Sequence, residues 1–136
     1  MSQSPNRLVA TIFGAVYLLV GVLGLFVAGP NFAGEEGGLL LGVFQVNHLH
    51  NIVHLLIGAA LLMAGLRSTP AARSTNIAVG AVYLIVGIVG FFLVGTALNI
   101  LALNTADHIL HLASAIVLLG TGLALDRDTT ARRAAI

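Results

Sequence analysis

The chain of 136 residues contains no cysteine, no tryptophan and no lysine. Without cysteine there can be no disulfide, no thiolate metal ligand and no thiol redox chemistry. Without tryptophan, and with its two tyrosines, Tyr17 and Tyr83, set inside apolar runs, the chain has only a thin aromatic belt. Charge is scarce too: 8% of residues are charged, against about 25% in ordinary soluble domains. A net charge of +1 with no basic run gives no reason to expect nucleic acid as a partner. Proline is limited to three positions, and no segment reads as a strand or as a glycine-rich phosphate loop.

What remains is 58% hydrophobic, with a mean hydropathy of +1.03. Four apolar segments, Leu8–Gly29, His48–Leu66, Asn76–Leu98 and Thr105–Leu125, each approach the ~20 residues needed to cross a bilayer. The expected fold is all-α, a bundle of four transmembrane helices forming a single membrane domain over 1–136. The spans use nearly the whole chain, so function must lie inside the bundle or at its rims.

Gly14–Gly29 reads GAVYLLVGVLGLFVAG and Gly80–Gly95 reads GAVYLIVGIVGFFLVG, ten identities in sixteen positions at an offset of 66. The chain is therefore expected to be a duplicated two-helix unit, with repeat one at about 8–66 and repeat two at about 76–125. A unit with an even number of spans gives parallel copies, related by a pseudo-two-fold axis along the membrane normal. Gly14 and Gly21, like Gly80 and Gly87, share a helix face joined by Gly24 and Gly90, as expected of surfaces where backbones pack closely in lipid.

All six basic residues are arginines: Arg7, Arg67, Arg73, Arg127, Arg132 and Arg133. They flank the same ends of the four segments, so the positive-inside rule places both termini in the cytoplasm of a multi-pass plasma-membrane protein. The first segment is too long for a signal-peptide core and is repeated internally, so it belongs to the mature protein. Gly29-Pro30 ends it. In the loop that follows, LLLGVFQV is too short to span, and is expected either to lie in the interface or to fold back as a lid. Between the second and third segments RSTPAARST reads as a polar turn, with Ser74, Thr75 or Asn76 capping the third helix.

The polar residues concentrate in NHLHNIVHLLIGAALL (Asn47–Leu62) and NTADHILHLASAIVLL (Asn104–Leu119), which align at an offset of 57. Helical spacing gathers Asn47, His50, Asn51 and His54 into one stripe and Asn104, Asp107, His108 and His111 into another, while His48 points elsewhere. Ionisable groups at membrane depth usually face the bundle interior, paired or ligated. Three uses compete. In the first, the i,i+4 pairs His50/His54 and Asp107/His111 bind zinc, copper, iron or manganese, and Asn47, Asn51, Asn104 and His108 orient the ligands by hydrogen bonds. In the second, His54 and His111 are axial ligands of a haem b, with Gly58 and Ala115 leaving room for the macrocycle. In the third, the polar groups only bond across helices and fix their register in a non-catalytic scaffold or accessory subunit. A proton relay would use the same side chains.

Ser114 lies one turn beyond Leu110 and near His111, and the sequence gives nucleophilic catalysis little support. The combination of four spans, N-x-x-H-N-x-V-H-L-L-x-G in the second helix and N-x-x-D-H-x-L-H-L in the fourth resembles a family of small, mainly actinobacterial membrane proteins catalogued as a domain of unknown function. The resemblance runs from about Arg7 to Leu125, implies a four-helix plasma-membrane protein, and transfers no catalytic residue. The small size and the glycine faces suggest a homo-oligomer or a subunit of a larger membrane complex, embedded in the lipid bilayer.

Overall fold

The computed structural model describes residues 4–127; Arg132 and Arg133, which entered the topology argument, lie outside the described residues. Four helices dominate: α1 (Pro5–Val27), α2 (His48–Arg67), α3 (Thr69–Leu93) and α4 (Thr105–Ala124). Each is long and apolar enough to cross a membrane, since 20 residues at 1.5 Å each span about 30 Å. Side chains from all four meet in a core of Ala10, Tyr17, Leu61, Ala72, Val79, Tyr83, Ala115 and Leu118.

Helix starts follow their caps. Ser4, Asn47, Ser68 and Asn104 each accept a hydrogen bond from a first-turn backbone N–H, and Pro5 and Pro70 occupy the position where a missing N–H does no harm. The third helix thus begins at Thr69, not near Asn76: the segment expected as a polar turn is helical, and Ser68 alone separates α2 from α3. The helix also ends earlier than expected, at Leu93, and Val94–Leu103 forms an irregular connection.

The tightest packing lies within the consecutive pairs α1/α2 and α3/α4. A Cβ on Gly14 would meet the Gly58 carbonyl oxygen at 2.8 Å, and one on Gly80 would meet the Leu119 backbone nitrogen at 2.9 Å. These are backbone contacts that only glycine permits, in a solvent offering no apolar drive for association. The α1/α3 diagonal is in contact, whereas α2 and α4 face each other through side chains.

Both ends of the described chain meet at one pole. Asp126 Oδ2 accepts from Ser4 Oγ at 3.0 Å, from the Asn6 backbone N–H at 3.0 Å and from Asn6 Nδ2 at 2.9 Å. Arg7 Nε donates to the Gly65 carbonyl and Arg73 Nε to that of Gly122, each at 2.8 Å, supplying partners to the last carbonyls of α2 and α4.

The opposite pole is closed by loops and, against expectation, by two short strands, β1 (Gly38–Leu40) and β2 (Phe44–Val46), paired antiparallel with Leu39 opposite Gln45. Their turn has positive φ at both Leu41 and Gly42 and a Val43 N–H to Leu40 carbonyl bond, the mirror-image turn that matches strand twist. The LLLGVFQV piece therefore folds as a hairpin. Leu40 and Val46 pack inward while Leu39, Leu41 and Val43 stay exposed.

Candidate metal centre

At the hairpin pole, α2 and α4 begin with matching asparagine caps that also tie the loops down. Asn47 Nδ2 donates to the Gly34 carbonyl at 3.0 Å and the Ile100 carbonyl at 2.8 Å, and Asn104 Nδ2 donates to the Val43 carbonyl at 3.0 Å. Gly34 also bridges to Leu101 in parallel. The two connecting segments are thereby held against each other directly above the first turns of α2 and α4.

One helical turn further in, His50, His54 and His111 converge. They are 1%, 3% and 2% exposed, and one ring nitrogen from each lies within 4.8 Å of the others. Ring centroids are 4.4 Å apart for His50/His54, 5.8 Å for His50/His111 and 6.0 Å for His54/His111. His50 Nδ1 lies 2.8 Å from the Leu101 carbonyl, which can only accept, so that nitrogen carries the proton. Its Nε2 is then a bare lone pair, buried and without a hydrogen-bond partner. Both nitrogens of His54 and Nδ1 of His111 are likewise buried and unpartnered. Buried nitrogens of this kind are normally satisfied, and here several of them crowd one point.

Two tyrosines floor the cluster. Tyr17 packs on His54 and Tyr83 on His111, both at 5.1 Å, and the two phenols stack on each other at 5.2 Å. Tyr17 is further pinned by a hydroxyl–hydroxyl bond of 2.5 Å to Ser114. His50, His54, His111 and Tyr83 line a cavity of ≈ 30 Å³, about the room one water requires. These tyrosines were visible in the sequence as a repeated pair away from the interfaces, but their apolar neighbours disguised them as core. The Leu101 carbonyl, being backbone, left no signal at all.

The other sequence-nominated residues are placed differently. Asp107 is buried but lies outside the group of converging ligand atoms: its Oδ2 accepts from the Asn104 backbone N–H at 3.0 Å in a capping box. Asn47 and Asn104 bond to backbone, not to imidazoles. Asn51 and His108 pack on Gly24 and Gly90, which leave just enough space for them, and His108 also touches Phe91 at 4.4 Å. His48 Nε2 donates to the Gly29 carbonyl at 2.9 Å, away from the cluster. Gly58 leaves no space for a macrocycle, because a Cβ there would meet the Leu18 backbone nitrogen at 2.7 Å: α1 already fills the place.

Chemically, three neutral imidazoles in a buried site can hold a transition metal, and the carbonyl behind His50 fixes its tautomer as ligand-orienting partners do elsewhere. No curated protein and no solved structure matches the chain. The family described as Domain of unknown function (DUF4383) matches residues 7–124, from the first arginine to the last residue of α4, and the chain belongs to that family.

Proposed function

We propose that this protein holds one first-row transition-metal ion between His50, His54 and His111, inside a membrane-spanning bundle. The observation that carries this reading is the convergence of three buried imidazoles, one of them with its lone pair turned inward by the Leu101 carbonyl. Metal–nitrogen bonds of about 2.0–2.1 Å ask the rings to close in by roughly an ångström. With no carboxylate among the ligands the set suits copper, zinc or iron better than manganese. Haem b fits poorly, because a cavity of ≈ 30 Å³ falls far below the ~300 Å³ or more of a cofactor pocket.

A second reading, a scaffold whose polar groups only hold helices, draws support from Asp107, Asn51 and His108, all of which have capping or packing roles. It does not account for the three histidines. The two readings separate by elemental analysis of protein purified in mild detergent without chelators or metal columns. Near-stoichiometric metal, lost in the His54→Ala/His111→Ala double variant while the helical signal persists, is the expected result. A protein that takes up no zinc, copper or iron even when these are added back leaves the scaffold reading standing.

The same proposal extends to topology. Parallel repeats about a pseudo-two-fold axis are supported by matching contacts at offsets of 66 and 57: Arg7/Gly65 with Arg73/Gly122, Gly24/Asn51 with Gly90/His108, and Tyr17/His54 with Tyr83/His111. The arginines at the pole of the chain ends support a reading in which that pole is cytoplasmic and the metal site lies near the outer face of the plasma membrane.

A further inference from the structure

The metal reading leaves open what the ion meets. A three-histidine ion retains a free coordination position, and the cavity at this one has a direction. Beyond the histidines and Tyr83 its wall is made of Val53 and Ile57 from α2, Val82 and Val86 from α3, and the half-buried Leu101 of the loop above. Val82 is 49% exposed on the outside of the bundle, so the cavity mouth lies between α2 and α3 and faces lipid. The aqueous pole is shut, with Val46, Asn47, Ala102 and Leu103 at most 3% exposed above the histidines.

The repeat supplies a built-in comparison. Positions equivalent to Val53, Ile57, Val82 and Tyr83 are Leu110, Ser114, Val16 and Tyr17, and these line a second groove, between α4 and α1, of ≈ 280 Å³. No histidine lines it. There the hydroxyl bond between Tyr17 and Ser114 holds the phenol across the floor, whereas Ile57, standing where Ser114 stands in the other repeat, offers Tyr83 no such bond. The two sides of the bundle are thus alike in outline, but only one communicates with the cluster.

Resting on the metal reading, we infer that the ion's free position takes a small uncharged diatomic molecule dissolved in the bilayer, admitted between α2 and α3 past Val82 and Tyr83. Size follows from a cavity of ≈ 30 Å³, room for about one water-sized guest. The absence of charge follows from the lining, which has no cationic or anionic side chain to replace an ion's hydration. The lipid-side mouth and the shut aqueous pole select a molecule that partitions into hydrocarbon.

The test uses the full chain in detergent or nanodiscs, loaded with copper(I) and exposed to carbon monoxide. The inference expects one infrared C–O stretch that moves with isotopically labelled gas, and rebinding after flash photolysis slowed at least about tenfold by Val82→Phe, the effect of ~1.4 kcal/mol on a barrier. Val16→Phe, the same change in the groove that no histidine lines, should leave rebinding as it was. Both positions face lipid, so neither variant disturbs the core. Copper that loads stoichiometrically but shows no carbon monoxide band overturns the open position and leaves the metal reading intact. Equal rebinding in both variants overturns entry between α2 and α3. Failure of copper to load, in wild type as in the histidine variants, overturns both readings together.

Discussion

His50 owes its place in the site to a backbone oxygen. The Leu101 carbonyl fixes which nitrogen bears the proton, so the nitrogen left with its lone pair free is set by the fold of residues 99–104 and not by any side chain a motif could name. The HxxxH spacing in α2 brings both of its residues to the cluster, while its counterpart in α4 brings only His111. The i,i+4 pair Asp107/His111 has the same spacing, yet Asp107 lies in the first turn, where backbone N–H groups compete for its carboxylate and win. A contrast follows. Asp107→Asn should keep its bound metal and lose about 1 kcal/mol of stability with the weakened cap, whereas His111→Ala should lose the metal. Metal analysis and thermal unfolding in detergent, run on both variants, separate these effects.

Among the elements, the helices were legible because long apolar runs admit one solution in lipid, and the histidine stripe was legible because helical spacing fixes which residues share a face. The start of α3 was missed although its signals were present: Ser68 followed by Pro70 is a cap and first-turn proline, masked by the polar run Arg73–Asn76. The hairpin was harder to see, since LLLGVFQV lacks polar alternation and its turn places a leucine, Leu41, at φ 55, which the residue type disfavours. The glycines read correctly as packing surfaces, and the structure adds which helix each one meets. Gly14→Ala would drive a methyl into the α2 backbone at Gly58 and Leu62, where nothing can rotate away, so it should lower the unfolding temperature markedly and part α1 from α2. Gly120→Ala meets nothing within 4 Å and should be neutral or stabilising by up to about 1 kcal/mol through helix propensity. Thermal unfolding of the two variants, side by side, is the check.

At the scale of the whole molecule, the two ends of the described chain are fastened to each other. Burial alone would raise the Asp126 carboxyl, but the hydrogen bonds from Asn6 and Ser4, with the charge of Arg73, outweigh it and hold it below the ordinary value of 3.8. A depressed folded-state value gives stability that is complete above the unfolded value and lost as pH falls through the folded one. Wild type should therefore lose this contribution below about pH 4, while Asp126→Asn, which suits the same left-handed backbone at φ 58, should start less stable at neutral pH and lack that acid-dependent part. Unfolding curves for both proteins between neutral and acid pH would show the difference. Closing the molecule at this pole leaves the other to its loops, and the bundle interior to the stacked phenols between them. Since the chain has no tryptophan, Tyr17 and Tyr83 are its entire near-ultraviolet chromophore beyond phenylalanine, and each lies 5.1 Å from a histidine of the cluster. The protein thus carries an unlabelled optical reporter at its centre: every tyrosine photon it emits comes from the wall of the site, so an ion or gas arriving there alters the whole signal and not a fraction of it.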